Sequence, residues 1–282
     1  MMSPSTTTYH PTPRLHPTTG TITALPTHPH THNHHLHHHH CSGAPVPAAT
    51  IDAMQQLEAA NIAHFDALSE DYDRRHPEAR ELALRLARAL RRVLPLDEDT
   101  TCVLDYACGS GQVSRALAPH VLRLVGVDIS PRMVELYNAR ADAQGLEPHE
   151  MRAVGALAEL DTQDRFDLVV CSMAYHHFVA VDDVSRELVK YLKPGGTLAV
   201  ADIAHTELPE DCDDGAPPPP PIMAGYEHIV THTRGFSEED IRGVFVGAGL
   251  ENVSFELFTS AKRQGRDVHF FLGTGTKPAE VA

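Results

Sequence analysis

No apolar run in the 282 residues reaches the ~18 that a membrane-spanning helix needs, and the N-terminus lacks the basic-then-apolar order of a secretory signal. Insertion into a membrane is therefore not expected. Runs of Lys or Arg are also missing. With 38 acidic against 23 basic side chains and a net charge of −15, the chain repels phosphate backbones, so nucleic acid is not an expected partner. There is no Cys-x-x-Cys spacing. The five cysteines are odd in number and three fall in apolar runs that read as strands or strand ends, which points to a reducing, cytoplasmic compartment. Residues 1–50 contain no Asp or Glu, one Arg (Arg14) and 11 of the 21 histidines. A mitochondrial presequence would need several arginines on an amphipathic helix, which these residues do not provide.

What is present divides in two. Residues 1–50 are Thr, Pro and His, ending in a histidine-rich run up to Cys41; they cannot offset their ordering entropy by burial and are predicted to be a disordered tail. Imidazole is a good transition-metal ligand, but the spacing defines no closed coordination shell, so no metal site is assigned. The remaining 232 residues carry −16 and suffice for one α/β domain that buries roughly 70% of the surface of its unfolded chain.

Within that domain, apolar residues recur at helical intervals over 51–68 and again after Pro77, predicting an amphipathic helical cap over 51–95. Strand and helix patterns then alternate. Strands are read at 102–105, 122–127, 150–154, 166–171 and 197–203, with helices at 113–118, 131–144 and 181–192. This predicts a Rossmann-like α/β fold: a mostly parallel, seven-stranded sheet with helices on both faces. A helix capped by Ser237 and two runs, 252–259 and 267–273, complete it as an antiparallel C-terminal hairpin edge. Between them residues 204–236, with Pro217–Pro221, read as an excursion over the surface or over a site.

The chemistry concentrates at Val103-Leu104-Asp105-Tyr106-Ala107-Cys108-Gly109-Ser110-Gly111, a strand opening into a Gly-x-Gly turn before a helix. Asp128 ends the next apolar run, where a carboxylate can accept from two ribose hydroxyls. No Gly-Lys-Ser/Thr follows the glycines, which excludes a P-loop. Ser114 stands where a dinucleotide fold would place a third Gly or Ala, and the acidic Asp105 would repel a pyrophosphate while attracting an ammonium. The implied ligand has a ribose, no phosphates and a cationic amino-acid end.

These motifs resemble those of the class I S-adenosylmethionine-dependent methyltransferases over residues 61–275. Asp105–Gly111 resembles the glycine-rich first motif, Leu124–Ser130 the ribose motif, Phe166–Cys171 the fourth-strand motif, and Leu192–Thr197 the turn into strand five. Phe65 followed by Tyr72-Asp73, and Gly235–Ile241, are similar to the small-molecule branch that includes quinone-biosynthesis and many fungal enzymes. The resemblance implies S-adenosyl-L-methionine as cofactor. Gly109, Gly111 and the backbone of Ala107 and Cys108 would hold its methionine part, Asp105 its ammonium and Asp128 its ribose. Ile129 and Met133 would sandwich adenine with Ala156 and Leu157 at its edge, Tyr72 would cover the cofactor, and Cys171 would end strand four on the cofactor side. Many relatives carry Asp at position 156, which leaves Glu159 or backbone to meet the adenine amino group. Cys171 reads equally as a small buried hydrophobe.

Methyl transfer from a sulfonium is an in-line displacement in which a general base is optional. Candidates are His176 and His177, with Tyr175, just past strand four, where open α/β sheets place ligands; Asp202 and His205 come second. The leading expectation is methyl transfer to a small-molecule acceptor. Its rivals are a non-catalytic cofactor- or metal-binding protein of the same fold and a methyltransferase acting on a protein. Oligomeric state is not legible.

Overall fold

The structure, a computed structural model, describes residues 48–205, 220–263 and 265–279; the predicted tail lies outside them, apart from Ala48–Thr50. Helix α1 (Ala48–Leu68) leads through a 3-10 turn into the short α2 (Tyr72–Arg75) and then α3 (Pro77–Val93). Pro77 starts α3 where its missing N–H costs nothing. One face of α3, with Ala83, Leu86, Ala87 and Leu90, is buried against the sheet.

The alternation then proceeds as β1 (Cys102–Tyr106), α4 (Gln112–Leu117), β2 (Arg123–Val127), α5 (Pro131–Ala143), β3 (Met151–Val154), β4 (Phe166–Ser172), α6 (Val181–Lys190), β5 (Leu192–Ile203), α7 (Glu238–Gly247), β6 (Glu251–Arg263) and β7 (Arg266–Thr276). The seven strands pair in the order β3-β2-β1-β4-β5-β7-β6. The first five are parallel, while β7 runs antiparallel between β5 and β6. Each face of the sheet carries its own core. Leu86, Leu117, Tyr137 and Ala141 on α3, α4 and α5 fill one; Leu188, Ile241 and Phe245 on α6 and α7 fill the other. Burial on both faces explains why β1 and β4 are near-continuous apolar runs.

Two boundaries differ from the sequence expectation. The Lys193-Pro194-Gly195-Gly196 turn is absorbed into β5, because Leu192 already pairs with Phe166 and the register shifts by a bulge before Leu168–Thr197. The C-terminal hairpin is longer than its apolar runs, since the polar stretch Ser260–Arg263 stays paired with Arg266–His269. Local composition reads as a loop there, but cross-strand hydrogen bonding extends the ladder.

The strand order reverses direction between β1 and β4, so a crevice opens beyond their carboxyl ends. Of the 204–236 excursion, residues 206–219 lie outside the described residues; Met223, Tyr226, Ile229 and Val230 of its described part border that crevice. The base of the excursion is tied by backbone bonds, with Phe236 N–H donating to the Ile203 carbonyl (3.0 Å) and His205 N–H to the Phe236 carbonyl (2.7 Å).

Candidate active site

At the end of β1 the chain turns through Ala107 at φ 56°, Gly109 at φ 50° and Gly111 at φ 78°. Left-handed backbone is ordinary for glycine and strained for Ala107. Asp105, 1% exposed, accepts a hydrogen bond from the Ser114 hydroxyl at 2.7 Å. Burial drives its carboxyl from 3.8 up to about 7, against the opposing pull of Ser114. Ser114, which in sequence only argued against a dinucleotide, thus has a positive role: it holds this carboxylate.

Asp128 closes the other side. Its Oδ2 accepts from Gly109 N–H (2.7 Å) and its Oδ1 from Ser130 N–H (2.9 Å), so one side chain sets both the glycine loop and the loop after β2. Burial raises its carboxyl above the usual range, and those two backbone bonds oppose the shift. Beneath the loops, Gly126 has no space for a side chain, since a Cβ there would stand 2.6 Å from Cys108 Sγ and 2.9 Å from Tyr137 Cε2.

The helical cap is fastened over both loops by two carboxylates. Asp66 accepts from Ser130 Oγ at 2.6 Å. Asp73 accepts from Ser110 Oγ (3.1 Å) and Gln112 Nε2 (2.6 Å) and pairs with Arg115 (3.3 Å) and Arg140 (2.7 Å). In sequence Asp73 stood only as part of the Tyr72-Asp73 resemblance and Asp66 was not singled out; their partners come from α4, α5 and the loops before them.

Opposite the glycine loop, His176 Nδ1 lies 2.7 Å from Asp202 Oδ1, and the His176 N–H donates to Asp202 Oδ2 at 3.2 Å. The pair is buried, at 3% and 0% exposure. A carboxylate acceptor puts the proton on Nδ1 and leaves Nε2 with the lone pair, the arrangement a general base needs. His177 packs 4.3 Å from the His176 ring and donates Nδ1–H to the Ile229 carbonyl at 2.7 Å. Desolvation, then its neighbour His176, lower it from 6.5 to about 4, so it is neutral at pH 7. Asn61 Nδ2 also donates to that Ile229 carbonyl (3.1 Å), joining cap, excursion and His177 at one oxygen.

A single cavity of about 1240 Å³ joins these parts. Of the residues singled out in sequence, Tyr72, Asp105, Ala107, Cys108, Gly109, Asp128, Ile129, Met133, Ala156, Leu157, His176 and His177 line it. Two do not. Gly111 stands behind the wall at the start of α4, where a Cβ would strike the Tyr137 ring at 2.7 Å. Cys171, 0% exposed, is packed into the core shared with α6 and α7, as its reading as a small hydrophobe has it and against its expected cofactor-side position. Burial pushes its thiol well up, so it stays protonated. Glu159 does not line the cavity, and Ala156 and Leu157 bring no carboxylate to its edge. Among the described residues no group of three or more metal-ligating side chains is arranged to hold an ion.

Comparison with known proteins decides the family. A profile described as "Methyltransferase domain" matches residues 78–255, more than half of the chain. The chain belongs to the class I S-adenosylmethionine-dependent methyltransferases. An uncharacterised methyltransferase of Schizosaccharomyces pombe is 37% identical over 159 residues, 53% of either chain. A ubiquinone biosynthesis O-methyltransferase of Coxiella burnetii is 27% identical over 148 residues, 51% of this chain and 62% of that one. The chain therefore spans about half the length of the curated relatives it matches. Among solved structures, the cyclase SpnF superposes with a TM-score of 0.54 at 19% identity, covering 70% of this chain and 81% of that one, which establishes the fold alone.

The methyltransferase domain has the donor set its cofactor requires. Asp105 is a buried carboxylate with no cationic partner among the described residues, and the cavity beside it fits an ammonium. Asp128 keeps free lone pairs for a ribose diol, and the two arginines beside the glycine loop, Arg115 and Arg140, pair with Asp73 and do not line the cavity. When bound, S-adenosyl-L-methionine supplies an electrophilic methyl group on a sulfonium.

Proposed function

We propose that the protein catalyses methyl transfer to a hydroxyl group of an apolar small molecule in the cytoplasm. The observation that carries this reading is the continuity of one cavity from the Asp105–Asp128 carboxylates to His176, which Asp202 backs from outside the lining, with apolar side chains between. Asp105 and Asp128 bind and orient the two polar ends of the cofactor. Phe65, Met223, Ile229 and Phe270 exclude water and accept an apolar body. His176 Nε2 takes the acceptor proton while Asp202 holds the ring and stabilises the imidazolium that forms. His177, neutral and wedged between Phe65 and His176, fixes the cavity wall through its bond to Ile229. The C. burnetii relative named as an O-methyltransferase supports oxygen as the methylated atom, and the free thiols of Cys102, Cys108 and Cys171 support a reducing compartment.

The full chain should bind S-adenosylmethionine and S-adenosylhomocysteine in a calorimetric titration and leave NAD unbound. Incubated with methyl-labelled cofactor and a panel of hydroxylated aromatic compounds, it should transfer label to oxygen. Asp128→Ala should weaken cofactor binding by about 1.5–3 kcal/mol, the worth of hydrogen bonds to a charged group. Cofactor binding with no transfer to any hydroxyl, amine or thiol in the panel would favour a non-methylating protein of this fold, as a neighbour named as a cyclase allows.

A further inference from the structure

The hairpin formed by β6 and β7 runs past the end of β5 and overhangs the cavity. Asp202, at the dyad, is level with Phe271, and the ladder continues from there through Val268–Ala261 to Arg266–Arg263. Side chains alternate, so Thr259, Ala261 and Arg263 on β6 share one face with Arg266, Val268 and Phe270 on β7. Val268, Phe270 and Arg263 line the cavity.

Arg263 therefore stands at the outer end of the cavity wall, beside Thr259, Ser260 and Lys262, and Arg266 lies directly across the ladder from it, just beyond the lining. Like charges directly across a ladder repel. Neither has a carboxylate among the described residues. Arg263 meets only the Met223 sulfur (Nη1 to Sδ, 3.4 Å) and the Tyr226 ring, 5.4 Å from its centroid; Arg266 donates to the Pro220 carbonyl at 2.8 Å. Three other cations of the hairpin and of α3 are paired: Lys262 with Asp267, Arg85 with Glu81, Arg92 with Glu256.

We infer that Arg263 and Arg266 bind an anionic group of the acceptor, a carboxylate or a phosphoryl group, at the far end of the cavity from the dyad. The inference rests on the proposed methyl transfer and narrows its substrate: an amphipathic molecule with the reacting hydroxyl at one end, an apolar body, and an anion at the other. Five ladder steps separate the level of Asp202 from Arg266, so with the reach of an arginine allowed for, hydroxyl and anion stand on the order of 10 Å apart. A planar guanidinium suits either anion through paired N–H donors.

The test uses the full chain saturated with S-adenosylhomocysteine and, as probes, para-hydroxyphenyl alkanoates of graded chain length beside their uncharged primary amides, titrated calorimetrically. The acid should bind about tenfold or more tightly than its amide, with a maximum at one chain length. Arg263→Gln and Arg266→Gln should each erase most of that gap, and Lys190→Gln on the distant α6 surface should keep it. Arg263→Glu, which would pair with Arg266 across the ladder, should erase the preference for the acid altogether. Replacing the carboxylate by a phosphate distinguishes the two anions: tighter binding assigns a phosphoryl group, equal or weaker binding a carboxylate. Arg263→Gln should also raise the unfolding midpoint of the free protein, because it removes the repulsion. Equal binding of acid and amide, a gap that survives both glutamine variants, or no binding of any probe by protein that binds cofactor would overturn the anion site and leave methyl transfer standing. Failure to bind cofactor at all would remove the reading on which it rests.

Discussion

The Ser114 hydroxyl donates to Asp105 Oδ2 across 2.7 Å, inside a wall that shields both from solvent. This bond keeps an otherwise unpaired carboxylate oriented toward the cavity while burial holds its carboxyl at about 7, near half-ionised at neutral pH. The result is a cation site that is charged only in part until its ligand arrives.

A cationic ammonium favours the ionised form. Affinity for S-adenosylmethionine should therefore be full above about pH 7 and decline as pH falls, approaching tenfold per unit. Calorimetric titrations between pH 5.5 and 8.5, roughly the window around that value, would show it; a flat profile would rule out Asp105 as the ammonium partner. The same raised value has the opposite effect on the free protein. The unfolded chain ionises near 3.8 and the folded one near 7, so folding stability is lost as pH rises through that interval. Asp105→Asn should accordingly raise the unfolding midpoint at pH 8, with a gain on the order of a few kcal/mol, change it little at pH 4, and abolish tight cofactor binding.

Asp73 ties the cap to Ser110, Gln112, Arg115 and Arg140. Asp73→Ala would leave two arginines beside the glycine loop without their carboxylate. A loss of about 1–3 kcal/mol in stability is expected, together with weaker cofactor binding and faster amide exchange confined to residues 48–93. Unchanged exchange in that segment would show that apolar packing alone holds the cap.

Asp202 acts through His176 and is a positioning residue. Asp202→Asn preserves the shape of the side chain and removes the charge that fixes the Nδ1 proton. The expected result is a fall in kcat of about 10²-fold or more, with KM and cofactor affinity nearly unchanged. Parallel losses in kcat, cofactor affinity and unfolding midpoint would instead assign the pair to packing.

Ala107 is held at φ 56°, a conformation that costs an L-residue about 1–2 kcal/mol. Ala107→Gly should leave thermal stability unchanged or raise it by up to about 1 kcal/mol, since strain relief is offset by the greater freedom of the unfolded chain. Ala107→Val should lower it more than either, because a β-branched side chain tolerates this region least. Thermal unfolding of the three proteins ranks them directly.

The elements and the cofactor end of the site were legible in sequence because short-range chemistry encodes them. Apolar runs with strand and helix periods mark the sheet and its covering helices, glycines at 109 and 111 mark the turn, and Ser237 with Asp240 forms the capping box that starts α7. What only tertiary structure decided lies between residues far apart in the chain. His176 and Asp202 were separate candidates; 26 positions apart, they become a dyad only because β4 and β5 are parallel neighbours. Asp73 meets the glycine loop 37 residues on only once the cap folds back. Cys171, one residue before the end of β4, faces the core while Ser172, which ends the strand, lines the cavity, because α6 and α7 cover the face that Cys171 occupies. The polar tip of the β6–β7 hairpin reads locally as loop, and ladder hydrogen bonds carry it out to place Arg263 in the cavity wall. Periodicity states which face of an element is buried; only packing states what that face meets.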